Sequence, residues 1–415
     1  MSSLPESSAP EGAAAQEPVP PAPTAVSGDG VIHEIRWSDA LPWWLLFRAA
    51  GAAFAPTVIV LAALGALATW AGWSIADRLG IPDGRAVGTL LDAFAAEPPA
   101  DVAAAGIAAD VAAAGFAAGH GAGPLEVFGF RLPGPATDLL RLVSVPLLPR
   151  ATLGQMAGTL ARLAWFVAVW SIFGSAIARH VALRLASEEP AGLPGSLWFG
   201  SRHWPSAFGA AALVLAGIFV LSLPAALFGL VMRTDVGLGL AGILWPLVLL
   251  GGIVLAILAI GLVAGWPLMV SSVGVERGDA FQAISTAFSY LYQRPLHFAF
   301  YALVALVVAL PALAAAHLLA VATTNLALWA TSLGMGHART AEVLSGLETA
   351  AAGSEVPFGI GALHFWSRGL EALLGSFGWG YFWSIATSAY LLLRRDVDGT
   401  ELDEVVVDEL PGEAG

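Results

Sequence analysis

VGLGLAGILWPLVLLGGIVLAILAIGLVAGWPLMVSSVGV, residues 236–275, contains no charged side chain, and the charges of Asp235 and Glu276 bound it. An α-helix rises about 1.5 Å per residue and a hydrocarbon layer is about 30 Å thick, so roughly 20 such residues already cross it. No soluble core requires a run of this length. The stretch predicts an all-α integral membrane protein. Its glycine-rich start, Val236 to Trp245, reads as an interfacial entry, and Leu268 to Val275 as an exit. One kinked span, from about Pro246 to Pro267, lies between.

Composition points the same way. Of 415 residues, 57% are hydrophobic and only 12% charged, with a mean hydropathy of +0.76, against about 25% charged residues in soluble domains. All 18 basic residues are arginine. They form no basic stripe with interleaved aromatics, so the sequence predicts no nucleic-acid partner. Without cysteine, the chain has no disulfide framework, thiol catalysis or cysteine-based metal site.

Outward from the long run, five more apolar segments emerge. Six transmembrane helices are predicted at about Ala52–Trp73, Thr159–Ile177, Ser206–Leu230, within Leu238–Val270, His297–Leu319 and Leu373–Leu393. Residues 1–34 are rich in Pro, Ala, Ser, Glu and Gly and form an N-terminal tail expected to be disordered. The membrane domain occupies 35–395, with outer loops 74–158 and 320–371. Residues 396–415 carry eight acidic groups and no basic one, an acidic cytoplasmic tail. Trp43, Trp44, Phe47 and Arg48 suit the headgroup region before the first span. Arg36, Arg48, Arg179, Arg184, Arg202, Arg277, Arg294, Arg394 and Arg395 all fall on one side if there are six spans. The positive-inside bias then places both termini in the cytoplasm of a bacterium, with the protein multi-pass in its inner membrane. In the first outer loop, Ala100–Gly119 is Ala- and Gly-rich but holds Asp101 and Asp110. It reads as a surface helix or low-complexity insert rather than a span.

Two cytoplasmic amphipathic elbow helices complete the expected fold. In the loop from Glu276 to Pro295, Asp279 can cap a helix carrying Phe281, Ile284, Phe288 and Leu291 at helical spacing. Tyr290, Tyr292 and Arg294 suit headgroup depth. A looser echo runs from Glu188 to Pro205 through Leu197, Trp198, Phe199, Arg202, His203 and Trp204. The pair suggests a span–elbow–span pseudo-repeat.

The residues offer little chemistry. Asp396, Asp398, Gly399 and Thr400 spell D-x-D-G-T, the nucleophile signature of haloacid-dehalogenase-type phosphatases. That motif needs a buried strand before it and an α/β body after it, and here a span precedes and fifteen residues follow. A turn closing the acidic tail is the simpler reading. His317 near the outer end of span five is a candidate because an ionisable group inside a span defaults to function. Near the interface, however, a polar anchor is the commoner role. Arg162 at the start of span two is read as a snorkelling anchor. Ser384, Thr387 and Ser388 fit bonding either to carbonyls one turn back or to a neighbouring helix, with packing as their default role. Pro224, Pro246, Pro267 and Pro311 could break helices around a transport site. An enzyme would have to draw on scattered outer-loop groups such as His120, His337 and His364. No catalytic, cofactor-binding or metal-ligating residue is assigned, and no cofactor is expected.

Three strings carry a resemblance: FGSAIARHVALRLASEE from Phe173, GWPLMVSSVGVERGDAFQAISTAFSYLYQRP from Gly265, and YLLLRRDVDGTELDEV from Tyr390. They resemble an uncharacterised family of polytopic membrane proteins common in planctomycete-type bacteria, over roughly residues 35–75 and 160–405. The span–elbow–span arrangement around Trp266-Pro267 is also distantly similar to the membrane domains appended to glycerophosphodiester phosphodiesterases, whose catalytic domain is absent here. The resemblance implies architecture and no catalytic residue. The expected function is therefore a non-enzymatic membrane-organising or partner-binding protein. Its partners are the lipid bilayer and proteins met through the elbows and the acidic tail. The alternative is a lipid or small-solute transporter built on the pseudo-repeat.

Overall fold

The computed structural model describes residues 41–82, 142–143, 145–148, 151–186, 189–190 and 192–400. The N-terminal tail 1–34, Ala100–Gly119, His120 and the tail beyond Thr400 lie outside them. Ten α-helices are present among the described residues, and no strand. They are α1 (Trp44–Ala53), α2 (Pro56–Arg78), α3 (Leu153–Leu185), α4 (Leu193–Val231), α5 (Asp235–Glu276), α6 (Ala280–Gln293), α7 (Pro295–Met335), α8 (His337–Ala351), α9 (Phe358–Gly375) and α10 (Phe377–Asp398). Five of them, α2, α3, α4, α5 and α7, are long and apolar enough to cross a membrane. The chain is a multi-pass membrane protein.

Several expected boundaries move, each for a physical reason. The first apolar segment does not begin at Ala52. The chain leaves helical geometry at Phe54–Ala55 and Pro56 opens α2, where its missing N–H costs nothing. The interfacial aromatic cluster becomes the short α1, with Leu45, Leu46 and Ala49 buried. The earlier of the two expected elbows is not a separate helix, because Leu193–Val231 is continuous and Pro205 lies inside it. Likewise α5 runs unbroken through its glycine-rich start, Pro246 and Pro267. A helix in hydrocarbon has no water to take up freed backbone groups, so it holds its own ladder around a proline. The segment 320–371 is mostly helical. It holds the rest of α7, all of α8 and most of α9. Finally, the last segment starts at Phe377 rather than Leu373, after a corner at Ser376.

Three helices running the same way form the centre. Phe166 of α3 packs on Trp266 of α5 with ring centroids 5.8 Å apart, and on Trp379 of α10 at 5.5 Å. Trp170 stacks on Trp379 at 4.2 Å, and Trp383 meets Trp266 edge-on at 5.4 Å. Such pairs contribute about 0.5–1.5 kcal/mol each beyond the area they bury. Helices α2 and α4 run the opposite way along α3. Gly65 faces Trp170 while Gly72 faces Trp165, and Gly200 lies against Ile172 and Ala176. Trp383, Ser384, Thr387 and Ser388 of α10 are fully enclosed. That enclosure explains why α10 carries Gly, Ser, Thr and Tyr rather than a lipid-compatible sequence.

The long helices α4 and α5 are buried mainly at one end. In α5, the described core residues are concentrated from Gly261 to Val275, whereas Leu247, Leu250, Ile253 and Ile260 are exposed. The second half of α4 behaves the same way, with Val220, Leu223 and Leu227 exposed.

Close approach at glycine is the part of this packing that can be tested. A Cβ on Gly200 would sit 2.2 Å from the Ile172 carbonyl oxygen, which is backbone and cannot swing away. Around Gly251 there is nothing within 4 Å. Gly200→Ala is expected to cost about 1–3 kcal/mol, and Gly251→Ala to cost nothing. Thermal unfolding of the two purified variants in the same detergent measures the difference.

Candidate functional site

Helices α3, α5 and α10 end on the same side of the bundle, and the chain gathers its charges there. Arg277 closes α5 in the left-handed conformation (φ 58°), which turns the chain sharply into Gly278 and Asp279. Asp279 Oδ1 then accepts the Gln282 backbone N–H at 2.8 Å and starts α6, the cap its position predicts. Packing of α6 back along α5 carries Tyr290 inward. Pro295 opens α7, and Tyr301 follows within two turns. Gly399, also left-handed (φ 71°), terminates α10 just beyond Asp396 and Asp398.

The result is a junction of phenols and carboxylates. Tyr290 donates to Asp398, and Tyr390 donates to Glu276. Tyr301 donates to Asp396 at 2.7 Å. Glu276 also accepts Gln282 Nε2 at 3.1 Å and pairs with Arg394 at 3.3 Å. The rings of Tyr290 and Tyr390 lie 5.5 Å apart. Beside this junction, Arg48 donates to the Leu185 carbonyl at 3.1 Å, which joins α1 to the end of α3. Arg179 lies over the Phe199 ring at 5.4 Å, and His180 meets Ser196 at 3.5 Å. The three strings that carry the sequence resemblance thus meet in space.

Burial pushes the Tyr290 phenol well above its ordinary range. Its bond to Asp398 and the charges of Asp398 and Glu276 push the same way. The phenol is therefore a neutral donor at physiological pH and a poor nucleophile. Chemically, the junction is a set of charge-assisted hydrogen bonds that hold the ends of α5, α6, α7 and α10 in one register.

Several roles expected from the sequence change in this light. Asp396 and Asp398 each receive a phenol from another helix, so the D-x-D-G-T string is a helix terminus and part of the junction. Tyr290 faces the protein core rather than the surroundings; it is 1% exposed. The buried stripe of α6 is Ala283, Ala287, Tyr290 and Leu291, and Phe281 points away, 70% exposed. Arg162 does not snorkel. It is 5% exposed, pairs with Asp77 at 2.7 Å and donates to the Ile81 carbonyl at 2.8 Å, joining α3 to the end of α2. Ser384, Thr387 and Ser388 bond carbonyls of their own helix, one of the two options open to them. Pro224, Pro246, Pro267 and Pro311 lie inside continuous helices. His317 lines a cavity between α7 and the α9–α10 corner, whereas His337 opens α8 and His364 lies in α9. Among the described residues no group of three His, Asp or Glu side chains could hold a metal ion. Glu276, Tyr301, Tyr390 and Arg394 join the site with no such role expected from the sequence. Their only shared signal is that each lies near a helix end inside or beside one of the resemblance strings.

Comparison with protein-family models, curated proteins and solved structures returns no match.

The phenol's protonation fixes the sign of a pH effect. An unfolded chain loses the tyrosine proton at about pH 10, whereas the folded Tyr290 keeps it, so its contribution is complete below that pH and is lost as pH rises further. Tyr290→Phe is expected to cost about 1–2 kcal/mol at neutral pH, the lower part of the range because water reaches Asp398. Above about pH 10 the variant's stability should fall less steeply than the wild type's. Melting curves of both proteins across that range decide it.

Proposed function

We propose that this chain is a non-enzymatic component of a bacterial cytoplasmic membrane that organises the membrane or binds protein partners on its cytoplasmic face. The observation that carries the reading is the junction itself. Glu276, Tyr290, Tyr301, Tyr390, Arg394, Asp396 and Asp398 spend their polar groups on one another, between helix ends, which suits a fixed platform. Outside the platform, Phe281 on α6 and Trp198 on α4 stand exposed, 70% and 59%, as surfaces for an interface or a partner.

In this reading α10 is a sixth crossing and both termini are cytoplasmic. The parallel course of α3, α5 and α10, with α2 and α4 opposed, supports it. So does the position of Arg48, Arg179, Arg277 and Arg394 at the common end of those three helices. Helix α6 is then a cytoplasmic elbow. The observation that favours a second reading, a lipid or small-solute transporter, is the cavity beside His317.

Because the chain has no cysteine, single cysteines report topology without background. Ser354→Cys is expected to react with an impermeant maleimide on intact cells, and Ser285→Cys only after permeabilisation. Labelling of both from the same side would overturn the threading. For function, purified protein in vesicles carrying fluorescent lipid should leave dithionite quenching at the protein-free level. Bilayer-crossing lipid flux in those vesicles would sink the platform reading and establish the transporter.

A further inference from the structure

The second half of α7 is an apolar helix with an unexpected face. Leu318, Leu319, Val321 and Leu326 are exposed on it, as a lipid-facing surface should be. Yet the same stretch carries His317, Thr324 and Asn325, and these line a cavity of about 480 Å³ closed on its far side by Glu371 of α9 and by Phe377 and Gly378 of α10. Sites for small ligands commonly enclose about 300–1,000 Å³ and combine apolar walls with a few convergent polar groups. Phe377 at the floor is 1% exposed, so the wall there is part of the packed core. Polar side chains that face hydrocarbon without a use are costly, and an imidazole, an amide and a carboxylate line this cavity, while the Thr324 hydroxyl bonds the Ala320 carbonyl of its own helix.

The charges narrow the occupant. Glu371 lines the cavity, and Arg368, one turn away and just outside the lining, pairs with it at 3.1 Å. One anion beside one cation complements a zwitterion better than it complements a net anion. An apolar α7 surface next to the opening suits acyl chains. We propose that this cavity binds the headgroup of an ethanolamine phospholipid. The ammonium group donates to Glu371, and the phosphate is met by Arg368 with Asn325 and His317. The acyl chains lie along Val321, Leu318 and Val307, exposed on α7 toward the bilayer centre. A choline headgroup has no N–H to donate to Glu371, and a glycerol headgroup brings no cation to it. The inference requires the α7 face to lie in the bilayer, but it depends on neither the platform nor the transport reading.

The test is native mass spectrometry of the full chain in detergent, with dioleoyl phosphatidylethanolamine and phosphatidylcholine supplied in equal amounts. The readout is the ratio of the two lipids retained. Loss of one charge-assisted hydrogen bond corresponds to about tenfold in affinity. The wild type is therefore expected to favour the ethanolamine lipid by about tenfold, and Glu371→Gln to bring the ratio near one. Leu221→Ala, on the exposed face of α4, should leave the ratio unchanged. Soluble glycerophosphoethanolamine should not strip the bound lipid. A wild-type ratio near one, a ratio unmoved by Glu371→Gln, or displacement by the soluble headgroup would each overturn the proposal. Vesicle flux plays no part in the readout, so its outcome stays separate from the platform test.

Discussion

Hydrocarbon gives one apolar helix no reason to prefer another helix over lipid, and this architecture depends on what replaces that missing force. Here the replacement is contact geometry at the centre of the bundle. Phe166, Trp170, Trp266, Trp379 and Trp383 interlock between three parallel helices. Gly200 and Gly274 let neighbouring backbones come close enough for the rest of the surfaces to meet. The long apolar surfaces of α4, α5 and α7 are consequences of this core rather than its cause. They stay exposed because lipid accepts them.

Polar bonding finishes what packing begins, and it is concentrated at helix ends. Arg162 with Asp77 ties α3 to α2 at one end of the bundle. At the other end the phenol–carboxylate junction ties α5, α6, α7 and α10. Near the ends, water can relieve part of the desolvation cost of a charge, while protein on the other side keeps the hydrogen bonds directional. The middle of the bundle carries hydroxyls that bond their own helix instead, as Ser384 and Thr387 do.

What could be read from the chain alone was whatever is local. Runs without charge marked the helices, Asp279 marked the start of α6, and Pro295 marked the start of α7. The own-helix bonds of Ser384, Thr387 and Ser388 were one of two options that their spacing left open. What could not be read was whatever depends on a distant partner. Tyr290 resembles an interfacial tyrosine until Asp398, 108 positions away, is brought to it. Arg162 resembles a snorkelling anchor until Asp77 arrives from α2. The proline positions misled for another reason. Proline ends helices in water because its ring crowds the carbonyl one turn back and leaves that carbonyl to solvent. In lipid, small adjustments of the ladder and neighbouring side chains re-satisfy it, and α4, α5 and α7 run on. Helix α10 is absent from the five helices apolar enough to cross a membrane, as a helix wrapped in protein need not be apolar.

The length of the exposed helices has a mechanical consequence. Helix α5 has 42 residues, or about 63 Å of rod, and α4 and α7 have 39 and 41 residues. A hydrocarbon layer of about 30 Å cannot hold such rods upright along their whole length. They must lean or stand proud of the bilayer, or the lipid around them must stretch. Their free halves are apolar, so standing proud in water is the least favourable choice. The rods therefore lean or the surrounding lipid stretches to meet them, and thicker membrane is the place where either adjustment is smallest.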